Sequence, residues 1–74
     1  MIGTGKQIRA GRALAGWSQV DLAGAAGLHV NTVKGWEGRD VIEDGGEAVA
    51  AMRGALEGQG VLFTNGGAIL REAA

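Results

Sequence analysis

Residues 19–36 read QVDLAGAAGLHVNTVKGW, and the fold is decided there. The stretch divides at Gly27 into two short segments of helical spacing. Leu22, Ala26, Leu28, Val33 and Trp36 supply the apolar positions. Ala23 falls where the two helices would cross, and a larger side chain would push them apart. Gly27 falls where the chain must turn through the left-handed region, which glycine enters at little cost. Two helices joined by a three- to four-residue turn at a steep angle need this combination of small, turn and apolar residues. The outward positions of the second helix are Val30, Asn31, Lys34 and Gly35. None is acidic, which suits a surface that meets a polyanion.

Upstream, Thr4 is suited to cap a first helix running to about Ala15, because its side-chain oxygen accepts an early helical N–H. Ile8, Leu14 and Ala15 supply that helix's apolar contacts, and Gly16 lets the chain leave it. Ser18 caps the second helix, with Asp21 at the capping-box position three residues on. An acid is also favourable near a helix N-terminus. Trp17, just before the cap, is placed to staple onto Leu22. The third helix spans about 30–38, with Val33 and Trp36 on one side. Gly35 in its interior costs about 1 kcal/mol relative to Ala, so either a neighbour packs closely there or the helix approaches another surface.

Downstream, residues 39–46 read as a polar, acidic loop. A fourth helix over about 46–58 carries the stripe Val49, Met52 and Leu56 and ends at Gly58 and Gly60. The period then changes. Val61-Leu62-Phe63-Thr64, Asn65-Gly66-Gly67 and Ala68-Ile69-Leu70-Arg71 read as strand, turn and strand, with Asn-Gly as the hairpin signal. A lone hairpin is marginal in water and must pack on the helices or on a second chain. The expected fold is mostly α: four helices with a C-terminal β-strand or hairpin. It divides into residues 1–60, with the central motif at 19–38, and a segment 61–74 that could serve dimerisation.

Composition narrows the function. Seventy-four residues without cysteine leave one small domain with no disulfide or thiolate–zinc staple. His29 is the only histidine, and one histidine does not make a metal site. Neither a metal nor another cofactor is expected. No Ser–His pair or paired carboxylates would be brought together, so an enzyme is not expected. The longest apolar run, residues 48–52, is too short to span a bilayer. Residues 1–6 lack the apolar core of a signal peptide. The expectation is a cytoplasmic protein with no membrane partner. Net charge is −1, distributed as +2 over residues 1–41 and −3 over 42–74.

The segment Trp17-Ser18-Gln19, Asp21-Leu22-Ala23, Gly27, Thr32-Val33 and Trp36-Glu37 resembles the helix-turn-helix of the phage-repressor-like (Cro/Xre) transcriptional regulators. The resemblance covers about residues 8–38 and, more loosely, 46–71, where the tail is similar to short bacterial regulators ending in a strand or hairpin. It implies a repressor-like domain that binds double-stranded DNA. Gln19 would meet a phosphate at a helix N-terminus. Asn31 and Lys34 would reach base edges in the major groove, with Val30 against a thymine methyl. Thr32 would reach a phosphate or a base, and Arg39, with Arg9 or Lys6, would hold the backbone. Arg12 and Glu37 occupy the positions of the family's ion pair. The pattern departs from the family's at His29, where the cap is usually Ser or Thr, and at Val30, where Arg or Gln is common.

A chain this short offers few base contacts, so a homodimer on a palindromic operator is expected. Val61, Phe63, Ile69 and Leu70 are too apolar to leave exposed, which makes the hairpin the natural dimer element. Plainer readings stand beside these. Trp17, Leu22, Val33 and Trp36 are core residues first, Arg12–Glu37 is a structural pair, His29 an ordinary cap, and residues 40–47 a solvated loop. Gly3-Thr4-Gly5-Lys6 lacks the strand and spacing of a phosphate loop. The main rival to a regulator is a protein-interaction module, an antiactivator or antitoxin-like partner using the same surface to bind another regulatory protein. A nonspecific architectural DNA binder is a second rival.

Overall fold

Local backbone chemistry sets most of the element ends. The structure, a computed structural model, describes residues 2–71. Residue 1 and the last three positions of the expected 61–74 segment lie outside the described residues. The first helix, α1 (Gly5–Ala15), opens on a capping box: the Gln7 N–H donates to Thr4 Oγ1 at 3.2 Å, and the Gln7 carboxamide oxygen accepts from the Thr4 N–H. Thr4 was legible as a cap, but its Gln7 partner was not. The second helix, α2 (Gln19–Ala26), begins on the Ser18–Asp21 box, with paired bonds of 2.9 and 3.0 Å. It ends at Gly27, whose φ of 69° is the left-handed turn that the sequence called for.

The third helix, α3 (Val30–Glu37), is capped by His29, whose Nδ1 accepts from the Asn31 N–H at 3.1 Å. Then come α4 (Gly46–Glu57), β1 (Val61–Phe63) and β2 (Ala68–Leu70). The strands pair antiparallel in the register Val61 with Leu70, Leu62 with Ile69 and Phe63 with Ala68. Continued by one pair, this register sets Thr64 opposite Gly67 and leaves Asn65-Gly66 as the two-residue connection. Gly66 is left-handed at φ 89°, and Asn65 is not. The turn is therefore not of type I′, which needs positive φ at both residues, and the Thr64 N–H closes it onto the Gly67 carbonyl at 3.0 Å.

One core serves every element. α2 packs on both α3 and α4, and α1 lies across α3, α4 and the hairpin. Ile8, Leu22, Val33, Met52, Leu56 and Val61 are fully buried, and Ala23 is buried among them. Three readings are corrected. Leu14 is exposed rather than a core contact. Ile42 is buried with Ile2, although it sits in the acidic run expected to be solvated. Its N–H donates to the Gly3 carbonyl at 2.9 Å, which draws that loop against the N-terminal residues. Val61, expected at a dimer interface, is buried in the helical core.

Gln7 joins the two ends of the chain. It is buried, and its amide nitrogen donates to the carbonyls of Thr64 and Gly67 at 2.9 and 3.0 Å. Its oxygen accepts from the N–H groups of Gly3 and Thr4. A buried amide is tolerated only when both its donor and acceptor sides are satisfied, and here they are.

Candidate functional site

Helix α3 has two unlike sides. Val33 and Glu37, one turn apart, face the interior, and Val30 and Trp36 are half-buried against the core. Asn31, Lys34 and Gly35 are exposed, and Thr32 is half-buried at the margin. The 3.6-residue period produces this division from the sequence directly. Gly35 has no close neighbour: a Cβ built there would meet nothing within 4 Å. Its weak helix propensity therefore has no explanation in internal packing.

Glu37 is the single acid of α3, and it does not reach the outer side. Its side chain is 1% exposed and takes a forked pair of bonds from Arg12, Nε to Oε2 at 2.7 Å and Nη2 to Oε1 at 3.1 Å. Gln19 Nε2 donates to the same Oε1 at 3.1 Å, and Arg9 Nε lies 3.6 Å from it. Burial works against the charge on Glu37. The bonds from Arg12 and Gln19 and the positive charges of Arg12 and Arg9 outweigh it, holding this carboxyl below the ordinary range. The hydrogen bond to Glu37 likewise raises Arg12 above the usual guanidinium value, against desolvation. Arg12 Nη1 also donates to the Trp17 carbonyl at 3.0 Å, tying the pair to the start of α2.

The six residues expected to meet DNA lie on and around α3, but their side chains are not equally available. Asn31, Lys34 and Arg39 are exposed. The Arg39 guanidinium lies over the Trp36 ring, 4.6 Å from its centroid. Gln19 spends one amide hydrogen on Glu37. Val30 and Thr32 are half-buried, so each offers only part of its surface. Sequence reading missed two features here: Gln19 as a partner of Glu37, and the stack of Arg39 on Trp36, whose three-residue spacing is the available signal.

The expected dimer residues divide less favourably. Val61 is 0% exposed and Phe63 is half-buried against Gly11, so neither is free to form an interface. Side chains alternate along a strand, which turns Val61 and Phe63 toward the helices and Leu62 away from them. Ile69 and Leu70 are 52% and 48% exposed, and Leu62, which pairs with Ile69, joins them on the surface. Among the described residues, no helix is long and apolar enough to cross a membrane, and no cluster of His, Asp or Glu has the make-up of a metal site. Compared with known protein families, curated proteins and solved structures, the chain matches none.

Proposed function

We propose that the chain is a sequence-specific DNA-binding regulator of the phage-repressor-like kind, with α2 and α3 as its helix-turn-helix and α3 in the major groove. The observation that carries this reading is the outer side of α3. It presents an amide, an ammonium and a bare glycine, while the helix's only carboxylate is buried and paired. Asn31 has the donor–acceptor pair that reads adenine, and Lys34 suits the acceptors of guanine. Gln19 retains a second amide hydrogen for a phosphate, because its nitrogen carries two. Arg12, through Glu37, sets the position of that amide. Arg39 supplies a backbone contact at the far end of α3.

A dimer doubles the contacts. In this reading Leu62 and Ile69, paired on the outer face of the hairpin, meet the same residues of a second copy across a twofold axis. Each protomer measures 33 × 25 × 17 Å, which lets two copies lie side by side on half-sites about 34 Å apart. The test is binding to a mixed-sequence duplex across a salt series, with Asn31→Ala/Lys34→Ala alongside. A regulator loses affinity steeply as salt rises, and the double variant binds more weakly. Salt-independent binding, or a double variant equal to the parent, would remove the reading.

One observation favours a second reading. The net charge is −1, and the acids Glu43, Asp44, Glu47 and Glu57 are all exposed. A protein partner taken up on the same helices would tolerate that balance better than DNA. Its signature is an interface insensitive to salt.

A further inference from the structure

Between Asn31 and Thr32 on one side and Trp36 and Arg39 on the other lies an open notch of about 260 Å³, floored by Gly35. Of the three mid-helix glycines with open surroundings, Gly24, Gly35 and Gly54, Gly35 alone lines this notch. Glycine inside a helix gives up about 1 kcal/mol relative to alanine, and here no internal neighbour requires it. The walls differ in character. One is the edge of a half-buried indole with a guanidinium stacked on it. The other carries an amide and a hydroxyl. An apolar wall, hydrogen-bond donors and a cation at the lip match one deoxyribose-phosphate unit, whose sugar is largely apolar and whose phosphate is anionic.

We propose that this notch seats one sugar-phosphate unit of the duplex strand, and that Gly35 is the position that lets α3 lie flush against it. The inference rests on the duplex reading above and assigns Gly35 a role that no side chain can perform. Arg39 closes on the phosphate, the Trp36 ring packs on the sugar, and Asn31 and Lys34 are left to the bases. Any Cβ at position 35 lifts the helix away from the strand.

The test sets stability against binding. Gly35→Ala and Gly35→Leu are compared with Gly54→Ala, an exposed glycine in α4 whose surroundings are equally open. Both alanine variants gain helix propensity, and each raises Tm by about 4–8 °C. Binding is measured on a duplex of about 20 base pairs, two half-sites long, carrying the sequence most enriched by the parent chain. Gly54→Ala binds like the parent. Gly35→Ala binds about tenfold more weakly and Gly35→Leu more weakly still, because the added volume has nowhere to go. Replacing the phosphates one at a time by neutral methylphosphonates then finds one position whose neutralisation weakens the parent but not Gly35→Leu or Arg39→Ala. If Gly35→Leu binds as tightly as the parent, or no phosphate shows that coupling, the notch holds no strand while the duplex reading stands. If the parent itself binds no duplex, both fall.

Discussion

A carboxylate on the outer side of α3 would repel phosphate, yet Glu37 costs that surface nothing because Arg12 and Gln19 hold it inside. The same burial makes the pair fragile. Arg12→Met strips the buried carboxylate of its forked partner, leaving only Gln19 and the exposed Arg9 near it, and is expected to lower stability by about 3 kcal/mol; urea unfolding measures it, and a change near zero would contradict the geometry. The pH dependence follows from the direction of the shift. Folded Glu37 binds its proton less tightly than the unfolded chain does, so its contribution is present at neutral pH and fades as pH falls below about 4. The Arg12 shift has the opposite sense, and its contribution is lost only as pH rises beyond the usual guanidinium range. Gln19→Ala removes one of the bonds that depress Glu37, so acid unfolding of that variant begins at a higher pH; an unmoved acid midpoint would deny Gln19 this role. Arg12 and Glu37 were legible as a pair from the resemblance. Gln7 was not legible as a latch, because its partners lie 57 and 60 residues away and no local pattern marks them.

The helices were readable because their ends are local chemistry. Thr4 and Ser18 cap within three residues, and Gly16 and Gln19–Ala26's closing Gly27 are left-handed where the chain must leave the helix. The strands were readable as strands but not as to which side faces the core. Val-Leu-Phe and Ala-Ile-Leu are apolar throughout, so alternation gives no phase, and only packing on α1 and α4 sends Val61 inward. Gly5 shows a different limit. It begins α1, where Ala would ordinarily be the better helix former. A Cβ there would collide with the backbone carbonyls of Trp36 and Glu37 at the end of α3. Backbone cannot yield as a flexible side chain does, so the clash wins. Gly5→Ala is expected to lose about 1–3 kcal/mol, read as a lower Tm; a higher Tm would show that the two helices have room to separate.

At the scale of the whole molecule, the hairpin packs within its own chain. The radius of gyration is 10.9 Å, close to the roughly 11 Å expected of a folded chain this long, so the strands are no extended arm awaiting a partner. What remains exposed is the Leu62–Ile69 pair with Leu70. Under the dimer proposal, Ile69→Lys gives a folded monomer by sedimentation at concentrations where the parent is a dimer. A parent that is itself monomeric at tens of micromolar would exclude that interface. Sequence could supply the apolar content of this surface but not its members, since one residue of register decides which side chains point out. The most direct test of the central proposal is selection of bound duplexes from a random DNA library at about 50 and 200 mM salt, with the parent and Asn31→Ala/Lys34→Ala run in parallel. A dimeric regulator enriches a twofold-symmetric site, most at the lower salt, and the double variant loses it. No enrichment at either salt from a folded parent would contradict that proposal.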